Sequence, residues 1–187
     1  MPKLAQYKEC TGCMACVDSC SHNALQATLN EEEHIVPLID ESKCVNCKLC
    51  ERVCPVVSKL PYSQSPVASS FAGWAKDKVV RKNSATAGAF SALAQYVFSK
   101  GGVVCGASNV DGVLVKHICI EKVDELTKLQ GSKYTQSNTE GIYKTVSVNL
   151  KQGKLVLFSG TGCQVAGLYG YLGKRKYSGR LITVDLI

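Results

Sequence analysis

The sequence lacks long apolar runs and is poor in histidine. Between Met1 and the first cysteine, Cys10, no apolar stretch reaches the length of a signal peptide or a membrane span. We therefore expect a cytoplasmic protein without a membrane span. With only three histidines, no Ser–His–Asp arrangement can be assembled, and there is neither an H-E-x-x-H motif nor a Gly-Lys-Ser phosphate loop. The sequence offers no acid–base machinery of the common hydrolases.

The composition is that of a folded globular chain. Hydrophobic residues make up 45% of the 187 residues and charged residues 20%. The formal net charge is +7. Two iron–sulfur clusters on cysteine thiolates, each near −2 when oxidised, would lower this charge to about +3. The basic balance is then weak evidence for nucleic acid, and we do not expect a nucleic-acid partner.

Cysteine is the abundant unusual residue, and most of it lies in two runs of one spacing. Of eleven cysteines, eight follow the pattern C-x2-C-x2-C-x3-C, in CTGCMACVDSC from Cys10 and in CVNCKLCERVCP from Cys44. In a reducing compartment, such spacing favours metal binding over disulfides. The run is the one bacterial ferredoxins use for paired [4Fe–4S] clusters. Zinc is the alternative, but two C-x2-C pairs would leave half of these thiols unexplained.

In this arrangement the fourth cysteine of each run binds the cluster of the other run. The predicted ligands of the first cluster are Cys10, Cys13, Cys16 and Cys54, and those of the second are Cys44, Cys47, Cys50 and Cys20. Pro55 follows Cys54 as the pattern expects, but Ser21 replaces the proline after Cys20. This departure affects the surroundings of the second cluster more than its existence.

Residues 1–60 are predicted to form a small α+β ferredoxin-like domain. Short strands at 24–29 and 34–39 are joined by a polar turn. We interpret His22 and His34 as surface residues. The segment 61–70 is rich in proline and serine and is predicted to be a linker.

Residues 71–187 alternate between strand and helix patterns, which predicts an α/β domain. Helix caps are expected at Ser84 or Thr86. The predicted strands are 71–75, 103–107, 113–120, 154–158 and 181–187; the predicted helices start near 86, 124, 142 and 165, with a turn of small residues at 159–163. Because the chain ends inside an apolar strand, we expect this domain to be truncated at its C-terminus.

Several stretches resemble the coenzyme F420 hydrogenase/dehydrogenase β subunit family. They are the two cysteine runs and the segments Gly101–Ala107, Leu129–Ser137 and Phe158–Leu168. The resemblance implies a flavin (FAD or FMN) that exchanges a hydride with coenzyme F420 or another small reducible substrate. It also implies a redox partner protein or ferredoxin. Matching the family's motifs residue by residue implies flavin contacts at Lys133, Tyr134, Gln136, Ser137, Gly160, Thr161, Gly162, Cys163 and Gln164.

The chain departs from the family pattern in two places. Gly162 stands where the family has proline, and Ala85 and Ala87 stand where it has glycine. The first change loosens the turn, and the second narrows a place where a cofactor would approach the backbone.

Three cysteines lie outside the runs. Cys163, at an expected helix start, is predicted to have a lowered pKa and either redox reactivity or a ligand role. Cys105 and Cys119 are expected to be buried and inert.

Two functions are open at this point. The first is an iron–sulfur flavoprotein oxidoreductase subunit that couples the one-electron chemistry of the clusters to hydride transfer at a flavin. The second is a ferredoxin-like electron carrier with two [4Fe–4S] clusters and no catalysis of its own.

Overall fold

The computed structural model describes residues 1–58 and 69–186. The predicted linker at 61–70 falls largely outside these ranges, as does residue 187. Among the described residues, no helix is long and apolar enough to cross a membrane.

The N-terminal domain is a strand hairpin with two short helices. Its elements are α1 (Ala15–Ser19), β1 (Leu25–Leu29), β2 (Ile35–Ile39) and α2 (Leu49–Val53). The two strands pair antiparallel from Leu25 opposite Ile39 to Leu29 opposite Ile35. Both predicted strands are confirmed. Their inward side chains and the first residues of α1 form a small core of their own.

The second domain is built on a four-stranded sheet. Its elements are α3 (Lys78–Lys82), a 3-10 turn (Thr86–Gly88), α4 (Ala89–Ser99), β3 (Val103–Asn109), β4 (Val115–Ile120), a 3-10 helix (Val123–Lys128), α5 (Ile142–Lys151), β5 (Leu155–Thr161), α6 (Gly162–Leu172) and β6 (Arg180–Leu186). The strand order is β4-β3-β5-β6. Strands β3, β5 and β6 are parallel, while β4 is antiparallel to β3. The predicted α/β alternation therefore produces a mixed sheet rather than an all-parallel one.

The two faces of this sheet bury different partners. Because side chains alternate along a strand, Val156 and Phe158 of β5 face α5, α6 and the N-terminal domain. Leu155 and Leu157 of the same strand face α4 and the second 3-10 helix. The N-terminal domain thus packs on one face of the sheet, against α5 and α6.

The region before α4 differs from the prediction. Residues 71–75 form no strand, and Phe71 and Trp74 are 92% and 67% exposed. Without a packing partner, an apolar β-like pattern does not suffice to form a strand. Helix α3 was not predicted; Asp77 caps it by accepting bonds from the Val79 and Val80 N–H groups. The cap of α4 is Gly88 rather than Ser84 or Thr86.

The predicted turn at 159–163 is also wrong. Strand β5 continues through Thr161 because Ser159, Gly160 and Thr161 still pair with β6. Helix α6 starts directly at Gly162. The small residues at the junction therefore serve a sharp strand-to-helix transition instead of a loop.

Cys105 and Cys119 are not inert thiols. They lie directly opposite each other on β3 and β4 and form a disulfide, with Cα atoms 4.0 Å apart. The prediction treated each strand separately, and the register that brings the two cysteines together is not visible from either one. A disulfide also contrasts with the reducing compartment expected from the sequence.

Candidate metal centres

Two cavities in the N-terminal domain are each lined by four cysteines. The first cavity is lined by Cys10, Cys13, Cys16 and Cys54, and the second by Cys20, Cys44, Cys47 and Cys50. Each cavity therefore brings three cysteines of one run together with the fourth cysteine of the other, which are the two sets expected from the spacing.

The two runs wrap their cavities with the same backbone geometry. In each run, the residues three positions and one position before the helix have positive φ: Gly12 (64°) and Met14 (55°) in the first, Asn46 (55°) and Lys48 (59°) in the second. Each fourth cysteine caps its short helix in an extended conformation. Left-handed residues turn the chain sharply, so each loop curls around its cavity.

Backbone N–H groups are directed at the cysteine sulfurs. Burial raises the pKa of the thiols of Cys10, Cys13 and Cys16, and the N–H groups of Gly12, Ala15 and Val17 oppose this rise; the N–H group of Ala24 lies 3.3 Å from the Cys20 sulfur. Burial has the larger effect and raises the Cys13 pKa to about 12. These thiols therefore stay protonated until iron displaces their protons. Four thiols with N–H donors around one cavity suit a [4Fe–4S] cluster.

Helices α5 and α6 of the second domain pack against the first cysteine run. A Cβ on Gly167 of α6 would lie 3.0 Å from the Cys13 sulfur, so only glycine allows this approach without displacement. The hydroxyls of Tyr143 and Thr139 both donate to the Cys13 carbonyl, at 2.7 and 2.8 Å. Tyr143 and Thr139 are fully buried. The second domain therefore holds the backbone of the first cysteine loop directly.

Asp18 connects the two domains from within the first cysteine run. Its carboxylate accepts hydrogen bonds from the N–H groups of Gly141 and Tyr143 at 2.6 and 2.9 Å, and from Lys144 at 3.4 Å. These N–H groups open α5, whose N-cap, Gly141, has no side chain to satisfy them. Burial raises the Asp18 pKa, and the three N–H groups oppose this shift. Asp18 thus caps a helix of the other domain.

Gln136 forms a second connection between the domains. Its side-chain amide pairs with the backbone of Ile35 on β2, accepting at 2.6 Å and donating at 3.0 Å. Any side chain at Gly12 would collide with this amide and with the Ile35 carbonyl. Gln136 therefore extends the edge of the hairpin and packs on the first cysteine loop.

The second cavity has no such cover. Residues 45–48 of its loop are all exposed, including Cys47, whereas residues 12–18 of the first loop are all buried. Val45 is 59% exposed. The second set of thiols is therefore the one nearest to an approaching protein.

The predicted flavin contacts divide into two groups. Gln136, Ser137 and Gln164 are committed within the chain: Gln136 to Ile35, the Ser137 hydroxyl to His117 at 2.6 Å, and Gln164 to the Thr161 N–H and the Ser137 carbonyl. Their hydrogen-bonding groups have partners inside the chain, and their cofactor contact stays a prediction. The second group contains the half-buried Lys133, the exposed Tyr134 and the four residues of the β5–α6 junction, Gly160, Thr161, Gly162 and Cys163.

The junction lies beside the first cavity. One turn further along α6, a Cβ on Gly167 would lie 3.0 Å from the Cys13 sulfur, and within the junction the Thr161 hydroxyl lies 3.1 Å from the Cys163 sulfur. Thr161 and Gln164 form a capping box at the start of α6. The sequence prediction that Cys163 stands at a helix start is confirmed.

Aromatic rings fill the space behind the first cavity. The Tyr143 and Phe158 ring centroids are 6.0 Å apart, and those of Phe158 and His117 are 5.4 Å apart. Burial lowers the His117 pKa to about 4, so the imidazole is neutral at pH 7. Its ring nitrogens face the Ser137 hydroxyl and the Ser159 carbonyl. His117 is thus a structural residue beneath the junction.

Sequence reasoning missed the interdomain residues Asp18, Thr139 and Tyr143. Asp18 and Gly141 are 123 positions apart. One signal was present: the predicted helix from Ile142 follows Gly141, which offers no capping side chain, so the N–H groups of this helix required a partner from elsewhere.

Within the described residues, no three His, Cys, Asp or Glu side chains converge tightly enough to hold a single metal ion.

Two known protein families match two separate segments of the chain. Residues 9–57 match the 4Fe-4S dicluster domain family. Residues 70–144 match the N-terminal domain of the coenzyme F420 hydrogenase/dehydrogenase β subunit. These matches confirm the resemblance inferred from the sequence.

One solved relative is a chain of the xenon-derivatized F420-reducing [NiFe] hydrogenase complex from Methanosarcina barkeri, with 23% identity and a TM-score of 0.48. The match covers 60% of this chain and 41% of that chain, so this chain corresponds to less than half of its relative. No curated protein sequence gives a significant match.

Proposed function

We propose that this chain, which joins a 4Fe-4S dicluster domain to the N-terminal domain of the coenzyme F420 hydrogenase/dehydrogenase β subunit family, is an iron–sulfur electron-transfer subunit of an oxidoreductase. The observation that carries the proposal is the pair of cavities, each lined by four thiols drawn from both runs. Each would hold one [4Fe–4S] cluster, which supplies one-electron transfer when bound.

The surroundings of the two cavities support a path for electron transfer with one exposed end and one buried end. The exposed loop around Cys47 lets an external one-electron carrier approach the second cavity. The buried contacts of Cys13 with Gly167, Tyr143 and Thr139 join the first cavity to the second domain and exclude water there. Asp18 and Gln136 fix the distance between the domains. Electrons would thus pass between a surface carrier and the α6 side of the sheet.

The finer part of the proposal is a flavin at the β5–α6 junction, with coenzyme F420 or another small reducible substrate. A bound flavin would exchange electron pairs as hydride. Lys133, Tyr134 and the junction residues Gly160, Thr161, Gly162 and Cys163 would hold it; the junction N–H groups at the start of α6 favour an anionic group. The support for this part is that α6, which starts at the junction, approaches the first cysteine run, where Gly167 lies against Cys13.

The ferredoxin-like carrier is the second candidate. It is favoured by one observation: Gln136, Ser137 and Gln164, three of the nine residues matched to flavin contacts, spend their hydrogen bonds inside the chain. In this case the second domain would only dock the dicluster domain against a partner.

Anaerobic reconstitution with iron and sulfide tests both candidates. We expect about eight irons and eight sulfides per chain, with paramagnetic resonance of two interacting reduced clusters. Zinc without acid-labile sulfide would overturn the iron–sulfur assignment. Bound FAD or FMN in the purified protein supports the oxidoreductase; two clusters with no flavin at any loading would leave the carrier.

A further inference from the structure

Exposed basic residues lie on α2 and directly after α6, two helices that are in contact. Lys48 and Arg52 belong to the start and the last turn of α2, and Lys174, Arg175 and Lys176 follow α6 directly. All five are exposed. Helices α2 and α6 are in contact, and Leu49 and Tyr171 pack on the same apolar cluster. We call these five residues the basic surface.

The basic surface borders the second cavity. Lys48 and Leu49 line that cavity together with Cys47, and Lys48 directly follows this exposed cysteine. Glu51, the acidic residue of α2, accepts a hydrogen bond from the Lys3 backbone N–H. A protein that binds the basic surface therefore comes close to the thiols with the most open access to solvent.

Part of the positive charge is held in place. The Arg175 guanidinium lies 5.6 Å from the centre of the Tyr171 ring, in a cation–π contact. The Tyr171 ring in turn lies 6.1 Å from the ring of the buried Tyr143. A positioned guanidinium loses less conformational freedom when it binds a carboxylate than a free lysine does.

We propose that the basic surface is the docking site of an acidic one-electron carrier protein of the ferredoxin class. The proposal rests on the proposed electron-transfer function and adds the place and the charge of its partner. Opposite charges steer such a carrier and orient it. In each encounter the carrier loses one electron and one cluster of this chain gains it, or the reverse, and no bond or proton changes.

Binding of a purified acidic ferredoxin to the reconstituted chain tests the docking site. Three variants are compared with wild type by calorimetric titration, at about 20 mM and about 200 mM salt. The first, Lys174→Glu/Arg175→Glu/Lys176→Glu, reverses the three charges of the basic surface that follow α6. The second, Lys174→Gln/Arg175→Gln/Lys176→Gln, neutralises the same three charges. The control, Lys78→Glu/Arg81→Glu/Lys82→Glu, makes the same charge reversal on α3, where these residues are also exposed.

We expect the surface reversal to weaken binding by at least about tenfold at low salt, the neutral variant by less, and the α3 control by no more than about twofold. Wild-type affinity should fall at higher salt. Equal weakening by both reversals would overturn the docking site and show only a net-charge effect. Absent binding at low salt would also overturn it, as would tighter binding to a short DNA duplex that the surface reversal abolishes.

Iron and sulfide content separates this result from the electron-transfer proposal. If wild type lacks clusters, the proposed function fails. If all variants hold full clusters and the ferredoxin binds none of them differently, only the docking site is wrong.

Discussion

The two cysteine runs share one spacing and one backbone path but have opposite surroundings. Gly12 is buried against Gln136 of the second domain and Met14 in the core of the N-terminal domain, while their counterparts Asn46 and Lys48 are exposed. Cys13 is buried and Cys47 is exposed. The comparison teaches that the ligand loop needs only its cysteines and left-handed turns, whereas the residues between the cysteines decide what the cluster faces.

The largest expected difference comes from the paired variants Gly12→Ala and Asn46→Ala. Both positions have positive φ, but a Cβ at Gly12 also collides with Gln136 and the Ile35 carbonyl. We expect Gly12→Ala to lower the unfolding temperature by about 8 °C or more, and Asn46→Ala by about 3 °C. Thermal unfolding of the reconstituted proteins measures both. Equal shifts would mean that the first loop is not confined by the second domain.

Asp18→Asn removes the charge that caps α5. Because one amide oxygen cannot satisfy three N–H groups, and its NH₂ group is a donor, we expect a loss of about 2 kcal/mol. Arg52 holds the matching position of the second run and is exposed, so Arg52→Asn should change stability by less than about 0.5 kcal/mol. Denaturant titration compares them. A loss with Arg52→Asn as large as with Asp18→Asn would contradict the interdomain cap.

Tyr143→Phe leaves the shape of the interface and removes one hydroxyl from the Cys13 carbonyl. The Gln164 carbonyl, 3.0 Å away, loses the same donor. We expect a cost of about 1–2 kcal/mol, with a change in the paramagnetic resonance of one reduced cluster only. Tyr169→Phe, which removes an exposed hydroxyl that lies 3.1 Å from the Thr183 hydroxyl of β6, serves as the control. Changes in both cluster signals would show that Tyr143 is not specific to the first site.

The smallest effect concerns pH. His117 lies behind the first cavity with a pKa lowered to about 4 by burial. The unfolded chain, with an ordinary histidine, binds a proton before the folded chain does, so stability falls as pH drops below about 6.5. We expect a loss of about 1 kcal/mol between pH 7.5 and 5.5 in wild type that is absent in His117→Gln. An identical pH dependence in the variant would assign the loss to other groups.

The spacing of the cysteines predicted the two cysteine sets, and the periodicity of apolar residues predicted most strands and helices. The cysteine pattern is local and sterically demanding, and the stripes of α5 and α6 follow the helical period. What sequence could not provide were contacts across the fold. Asp18 meets Gly141 and Gln136 meets Ile35 only after the domains pack. The disulfide likewise required the register of two strands.

The flavin contacts transferred by resemblance stay a prediction, and Gln136 shows what such a transfer leaves open. Gln136 matches the family stretch, yet here it binds the hairpin backbone. A motif fixes the type of a side chain, while its partner depends on what packs against it. In this chain the side-chain amide of Gln136 is hydrogen-bonded to the backbone of Ile35 in the dicluster domain.

Iron counting in two double variants tests the shared cavities most directly. Cys10→Ala/Cys54→Ala removes two ligands from the first cavity, whereas Cys10→Ala/Cys20→Ala removes one ligand from each. We predict that the first variant keeps one intact cluster of about four irons and that the second keeps no fully ligated cluster. If the Cys10→Ala/Cys20→Ala variant keeps the intact cluster instead, each run binds its own cluster and the crossed arrangement is wrong.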